Sequence, residues 1–501
     1  GAHPPWYIDT LPGILDIGRG SPSWGIVYEH TQLPERYRDA FLVCDYRWKS
    51  ATSGRYATSG RLVAFHLKRN AATWQAEFSE LATAKPGAKD AQGKPVNFAL
   101  VDIDVAPDGS LFVTDHNQGV WRIFYDVSDQ PTIPPIVPAW PVAAADALLE
   151  QLLTLPQPAA AWSRQRELVL RAEIGPDATA QLMRSVGRDD LPLRRRLRAL
   201  RLLATDFGTL PSSFVETLGQ MAEAEIRAQA AWLVGIRGRA NETRLSLALL
   251  GDPDSFVRRR AAEALSRSPS TDAIPRLVES MGDTSRSIRH AATIALSHRP
   301  TVEFLQAGIG SEDPQILMRT LVAAHFRNER PPVEIVRQLV RRLLKQGELA
   351  DEDRLNCLRI LSLYRREIEG SRALRDLATA WLRNGFPHRD RTIRWEQARL
   401  LGEFKVVKAF AALVNELVQE KEYVTQFHLA SALAEIPRPP SGWEQAAQTR
   451  FCDWLLTTQS GWFTEFAGKG LQFPQFWATV LNKLGQHHAD RLATQFEQLD
   501  P

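Results

Sequence analysis

From about residue 143 to the C-terminus, apolar residues recur at i, i+3, i+4 and i+7, as at Val257, Ala261, Ala264 and Leu265. That spacing lays them along one face of a helix. Between residues 40 and 125 the pattern is different. Phe41–Cys44 and Leu62–Leu67 are short apolar runs bounded by Gly, Pro and Asp, and Val101, Ile103 and Val105 alternate with Asp102 and Asp104. A period of two is the mark of a strand with one face covered. Asp108-Gly109 predicts a tight turn, because glycine accepts the positive φ that hairpin turns need. Leu111–Val113 and Val120–Tyr125 then read as two further strands around Asn117-Gln118-Gly119, and residues 80–96 read as a loop. Pro131, Pro134, Pro135, Pro138 and Pro141 crowd the next stretch. Proline fixes φ and removes a donor, so this stretch resists helix and sheet alike and reads as a linker.

Within the helical part the chain repeats itself. Gly251-Asp252-Pro253-Asp254-Ser255-Phe256-Val257-Arg258, running on to Leu265, returns 31 residues later as Gly282-Asp283-Thr284-Ser285-Arg286-Ser287-Ile288-Arg289, running on to Leu296. A period of that size predicts stacked helix pairs, each burying its apolar face against its neighbours. Apolar anchors in the same register fall at Leu152, Met183, Leu218, Leu249, Met281, Ile309, Leu344, Leu382 and Leu417, which gives about nine pairs. Asp252 and Asp283 are expected to cap the second helix of their units. Pro253 and Pro314 are expected in a first helical turn, and the small Ala pairs are expected to let helices approach closely. After Pro437 the composition turns aromatic (Trp454, Trp462, Phe463, Phe473, Phe476, Trp477), as expected of a terminal cap. The fold class expected is α+β multidomain. Residues 1–128 form a β part, 129–142 a linker, 143–440 an all-α solenoid and 441–501 a helical cap.

At 501 residues, with 44% hydrophobic and 24% charged side chains, the chain needs more than one core and has the make-up of a soluble globular protein. No apolar run is long enough to span a bilayer. The net charge is +3. Residues 1–140 hold 13 Lys and Arg against 15 Asp and Glu, and the remainder is only modestly basic. That balance argues against a nucleic-acid protein, for which binding that weakens steeply with salt is the test. Cys44, Cys357 and Cys452 lie too far apart for CxxC, haem or zinc patterns and read as core thiols.

Candidate chemistry is sparse. Asp102, Asp104, Asp108 and Asp115 lie within fourteen residues, with His116 beside them on a loop. Oxygen-rich clusters hold calcium, so Asp102, Asp104, Asp115 and His116 form the candidate polar or metal cluster. A turn Asp is also common for structural reasons. Arg194, Arg195 and Arg196 form one basic run, and Arg258, Arg259 and Arg260 another. Two readings are open for each, a groove for phosphate or a solvated helix face balanced by nearby acids. His388-Arg389-Asp390 and Asp206-Phe207-Gly208 look like two kinase signatures, but in reversed order and inside helical repeats, which removes their usual meaning.

Gly251–Leu265 and Gly282–Leu296 resemble short, bilin-lyase-like HEAT repeats, with the pattern D-P-x-x-x-V-R-x-x-A-x-x-A-L. That resemblance implies an armadillo-like α-solenoid. A second resemblance covers roughly residues 20–128. Leu33–Arg38, Phe41–Asp45 and Gly60–Val63 look like one propeller blade, and Asp102–Asp115 with Gly119–Ile123 looks like the next. Their P-D-G-S-L-F-V-T-D core is similar to glucose/sorbosone dehydrogenase-like propellers, and in one bacterial branch such a propeller precedes HEAT-like repeats. The resemblance implies a partial propeller of about two blades, with further blades upstream of Gly1, PQQ and calcium as cofactors of a full propeller, and a periplasmic or secreted setting. No catalytic residue carries over, because the family's catalytic histidine and most quinone contacts lie in blades with no counterpart here.

Three functions are therefore in view. The chain is expected to be the C-terminal portion of a quinone-dependent dehydrogenase-like protein. Its solenoid then binds a protein partner, and the chain itself has no cofactor and no catalysis. The alternative is a sugar or alcohol oxidoreductase that is active once upstream blades are present. The most remote is a nucleic-acid-binding solenoid.

Overall fold

The structure is a computed structural model. It describes residues 7–17, 21–46, 60–85, 87, 89, 93, 98–116, 119–126, 128, 145–204, 209–268, 270–437, 444–454 and 482. The linker at 129–142, Asp206-Phe207-Gly208 and the C-terminal aromatics Trp462, Phe463, Phe473, Phe476 and Trp477 lie outside these. The chain divides into two compact units, Pro12–Ser268 and Pro269–Pro501 joined by Gly1–Leu11.

In the first unit, strands β1 (Ser21–Tyr28), β2 (Ala40–Tyr46), β3 (Arg61–Asn70) and β4 (Thr73–Thr83) form an antiparallel sheet in that order. β5 (Leu100–Val105), β6 (Leu111–Asp115) and β7 (Gly119–Ile123) form a second. One core lies between them, built from Tyr28, Leu42, Leu62, Leu100, Ile103, Leu111 and Val113 among others. The buried Tyr28 hydroxyl ties the two sheets together. It donates to the Gly109 carbonyl at 2.9 Å and accepts from the Leu33 amide at 3.0 Å. At the 108–109 turn, Gly109 has φ +86°, and a Cβ there would lie 2.1 Å from His30 Nδ1. The described strands form two antiparallel sheets and no closed propeller. Two strands were not foreseen. β1 is broken in pattern by Pro22 and Gly25, and β4 runs through residues 80–83 of the expected loop.

The helices of this unit are α1 (Ala145–Thr154), α2 (Ala161–Ile174), α3 (Ala178–Val186), α4 (Leu193–Leu203), α5 (Ser212–Leu218), α6 (Ala224–Arg237), α7 (Thr243–Leu249) and α8 (Ser255–Leu265). They pack in consecutive pairs, and second helices also pack on the next second helix, as α6 does on α8. That contact is close because Gly235 has no side chain: a Cβ there would meet Ala264 Cα at 3.0 Å. An arginine on α4 and another on α6 each reach an acid ahead of the next second helix. Arg196 binds Glu223 at 2.6 Å, and Arg227 grips Asp252 through two bonds of 2.7 and 3.0 Å.

Asp252 thus joins repeats instead of capping. The cap of α8 is Asp254, whose Oδ1 accepts from the Phe256 and Val257 amides at 2.9 and 3.2 Å. Pro253 stands one residue before that cap. Asp254 also binds Arg69 of β3, whose guanidinium lies 5.0 Å from the Phe256 ring. Burial alone would raise the Asp254 pKa. The hydrogen bonds from Arg69, Val257 and Phe256 outweigh burial and hold the carboxyl below its usual range. Asp254→Ala is expected to cost about 1–2 kcal/mol, most of it the lost cap. Because the folded pKa is depressed, the wild-type advantage is full above about pH 4, the unfolded value, and fades as pH falls through the folded value. Urea titrations of both proteins at pH 7 and pH 3 check this; an undiminished difference at pH 3 would contradict it.

The second unit contains α9 (Ile274–Ser280), α10 (Arg286–Ser297), α11 (Thr301–Ile309), α12 (Pro314–Phe326), α13 (Val333–Leu344), α14 (Asp351–Leu363), α15 (Arg365–Glu369), α16 (Arg372–Asn384), α17 (Arg391–Glu403), α18 (Phe410–Gln419) and α19 (Tyr423–Glu435). A further helical stretch covers 445–454. With the short α15 set apart, the described helices make nine pairs, and every anchor position lies in the first helix of a pair or at its C-terminal end. Pro314 opens α12 behind the cap Asp313, as expected. Asp283, by contrast, accepts from the Ser285 amide at 2.8 Å, and the N-cap of α10 is Ser285. Gly402 lets α17 lie against α19, where a Cβ would sit 2.6 Å from the Ala432 carbonyl oxygen.

Candidate protein-interaction groove

The residues singled out from sequence do not converge. Asp102 and Asp104 are exposed and accept hydrogen bonds from the amides that follow them, Ile103 and Val105, both at 2.8 Å. Asp108 holds the turn, accepting from Ser110 and Arg122. Asp115 is buried and accepts from the Ala99 amide at 3.1 Å and the Trp121 indole at 3.3 Å. His116 is exposed, edge-on to Tyr46. Among the described residues no group of three or more His, Cys, Asp or Glu side chains is placed to hold a metal ion. Calcium of the kind the propeller resemblance implies does not fit these residues.

The basic runs are engaged inside the first unit. Arg194 binds Asp39 at 2.9 Å, Arg195 binds Glu150 at 2.8 Å, and the buried Arg196 binds Glu223 and the Val186 carbonyl. Arg258 donates to the Asp252 and Pro253 carbonyls, Arg259 to Glu263 and the Ala72 carbonyl, and Arg260 to Glu263. They join repeats and hold the sheets against the helices. Arg198 and Arg201 border a hollow of about 490 Å³, shared with Glu29 and Glu167. Of the kinase-like triplets, Asp390 is the N-cap of α17, accepting from the Ile393 amide at 3.0 Å.

In the second unit, the second helices α10, α12, α14, α17 and α19 lie side by side in sequence order. A band of charged and polar residues crosses them: Arg286 and Arg289 on α10, Arg319 on α12, Glu352, Asp353 and Arg359 on α14, Glu396 and Arg399 on α17, and His428 on α19. The N-terminal segment of the chain is seated on this band. Residues 7–10 form a tight turn in which the Thr10 amide donates to the Tyr7 carbonyl at 3.0 Å. Ile8, at the turn's centre, is only 1% exposed. Arg286 Nη2 donates to the Tyr7 carbonyl at 2.7 Å and the Thr10 carbonyl at 3.2 Å. Arg359 grips Asp9 Oδ2 through Nη2 at 2.8 Å and Nε at 3.2 Å, and its guanidinium lies 5.2 Å from the Tyr7 ring. Burial and then the nearby Glu396 carboxylate push the Tyr7 phenol's pKa upward, so the phenol stays protonated and donates to Glu396. Glu396 is steadied in turn by Arg399 at 2.7 Å.

The floor of the groove carries polar groups with little compensation. Arg319 is 1% exposed, its Nε meets Gln315 Oε1 at 3.3 Å, and its Nη1 has no partner. Burial, and then repulsion from Arg289 and Arg286, push its pKa down. Neither polar side-chain atom of the buried Asn356 has a partner. Sequence reading passed over all of these residues. The available signal was a charge or amide at an inward position of an otherwise apolar second helix, as at Arg319 between Met318 and Leu321 and at Asn356 beside Cys357. Nothing linked them to Tyr7–Thr10, hundreds of residues away.

No curated protein matches the chain. Solved structures that resemble it include Kap95p, whose binding induces the switch loops of RanGDP to adopt the GTP-bound conformation, at 13% identity over 71% of this chain and 53% of that one, TM-score 0.45. An engineered protein aligns at 18% identity over 56% and 85%, TM-score 0.32. Human deoxyhypusine hydroxylase in complex with glycerol aligns at 17% identity over 52% and 95%, TM-score 0.21. Residues 212–297 match the profile of HEAT repeats, and within each unit the helix pairs stack in a HEAT-like, solenoid-type arrangement.

Proposed function

We propose that this chain is a protein-interaction scaffold whose working surface is the band across α10, α12, α14 and α17. The observation that carries this reading is the seated turn at residues 7–10: a short peptide segment held through its backbone by Arg286 and through its side chains by Arg359 and Glu396. A surface that holds one peptide by main-chain carbonyls, a carboxylate oxygen gripped by two arginine donors and a covered aliphatic side chain has the parts that peptide recognition uses. The arginine–aromatic contact adds a fourth.

A photo-reactive side chain at Ser362, at the C-terminal end of α14, tests it, with Val333 of α13 as the control position. A discrete adduct is expected at Ser362 and not at Val333, falling roughly tenfold with Arg286→Glu and Arg359→Glu together, since truncated or reversed charge pairs cost several kcal/mol. Equal adducts at both positions, indifferent to the arginines, would overturn the proposal.

The likeness of residues 102–123 to sorbosone dehydrogenase-like blades supports reading the two sheets as blade-like, since β5, β6 and β7 pair in consecutive antiparallel order. A dehydrogenase reading has no support in this chain beyond that motif likeness.

A further inference from the structure

We propose that the groove selects a four-residue turn with an aromatic, an aliphatic, an acidic and a hydroxyl residue in succession, and that Tyr7-Ile8-Asp9-Thr10 is an internal occupant which a partner's turn of the same chemistry displaces. The proposal rests on the scaffold reading above and names what the scaffold takes.

Each position of the turn has its own recognition. The first needs an aromatic ring under the Arg359 guanidinium, 5.2 Å away, and a phenol that donates to Glu396. The second is covered on all sides, since Ile8 is 1% exposed, so it selects an aliphatic side chain. The third needs a carboxylate, because Arg359 offers two donors to one oxygen at 2.8 and 3.2 Å. The fourth closes the turn. The Thr10 hydroxyl donates to the Tyr7 carbonyl at 3.1 Å, beside the Thr10 amide, while Arg286 holds both the Tyr7 and Thr10 carbonyls.

Two features suit this site to exchange. Among the described residues, the polar contacts that hold the turn lie within four consecutive residues, so one event releases them together. The floor also keeps polar capacity that the internal turn does not use: Arg319 Nη1 and both Asn356 side-chain atoms are buried without partners. A partner's glutamate keeps the carboxylate that Arg359 needs and has one more methylene of reach.

The experiment is a titration of the full chain with a fluorescent, acetylated and amidated peptide of sequence Pro-Trp-Tyr-Ile-Asp-Thr-Leu-Pro. The chain is used unaltered and with its occupant displaced by Ile8→Asp and Asp9→Lys together. Helical circular dichroism, unchanged between the two, verifies that the fold is kept. Displacing the occupant is expected to tighten peptide binding at least tenfold, because the internal turn no longer competes. In the displaced chain, a peptide with Asn in place of Asp is expected to bind roughly tenfold more weakly, and one with Glu no more weakly than the parent. These peptide variants put no demand on protein folding. Affinity that is the same with the occupant present or displaced, or indifferent to the peptide's carboxylate, overturns the proposal. If the peptide fails while the Ser362 adduct persists and still depends on the arginines, the turn chemistry is wrong and the scaffold reading stands. Loss of both removes both.

Discussion

Replacing Gln157 by Leu lowers the stability of the first unit by about 2–4 kcal/mol, because it leaves two main-chain groups without partners, one in β1 and one just after it. β1 is an edge strand, and an edge carries a row of unpaired donors and acceptors that must be covered. Gln157, in the connection between α1 and α2, covers it. Its Oε1 accepts from the Glu29 amide at 2.8 Å, and its Nε2 donates to the Val27 carbonyl at 2.7 Å. The amide therefore stands in for one rung of a missing strand. The side chain is 1% exposed, and the backbone there has φ +50°, a conformation non-glycine residues rarely take. Holding Gln157 in it costs about 1–3 kcal/mol, which the two hydrogen bonds offset. Around this point Trp162 Nε1 donates to the Val105 carbonyl at 2.7 Å, and Arg201 binds Glu29 at 3.1 Å, so Gln157 sits at the centre of the seam between sheets and helices. Gln157→Glu separates the two bonds, since a carboxylate still accepts from Glu29 but has no donor for Val27. It is expected to lie between wild type and the Leu variant in urea midpoint. Hydrogen exchange at Val27 and Glu29 that stays as slow in the Leu variant as in wild type would refute this account.

The repeat at 251–265 and 282–296 made the helix pairs legible because burial in a stack of like units imposes one register. Ala261, Ala264 and Leu265 must face inward in every copy, so their spacing survives even where identities drift. Caps were read two residues early. Asp252 and Asp254 have the same carboxylate, and only the placement of Arg227 and Arg69 decides which one joins repeats and which caps α8. Strand β1 was missed because its partners are not local. Pro22 and Gly25 weaken its own propensity, and pairing with β2, together with Gln157 from beyond the linker, supplies what propensity does not. The groove was invisible for the same reason. Arg359 meets Asp9 across 350 positions of sequence, and no local pattern encodes such a contact. The basic runs were conspicuous as letters. As side chains they are tied to Asp39, Glu150, Glu223 and Glu263, acids whose nearness only the fold creates.

Arg319→Met is expected to stabilise the second unit by about 1–3 kcal/mol, while Arg319→Ala destabilises it. Arg319 is a fully buried cation whose guanidinium has one long bond to Gln315 and a neighbourhood in which Arg289 and Arg286 are felt before Glu352 and Asp353. Exchanging a buried, poorly compensated charge for an apolar side chain of similar length is often neutral or favourable by a few kcal/mol. The aliphatic stem still fills its place, and Met takes over that packing. Ala leaves a cavity, so the packing loss of about 2 kcal/mol or more outweighs the relieved charge. The opposite signs of the two variants separate charge burial from packing. A costly cation retained in the floor of a groove, rather than on its rim, has a physical use if the groove receives anions. Its charge adds to that of Arg286, which feels Asp9, and so favours the acidic position of a docked turn. The Met variant is therefore expected to unfold at higher urea and to bind the acidic turn peptide severalfold more weakly, a stability gain coupled to a functional loss. A Met variant that is less stable than wild type would show that Arg319 is a structural ion-pair partner. One that is more stable and binds the peptide equally well would show that its charge serves neither the fold nor the groove.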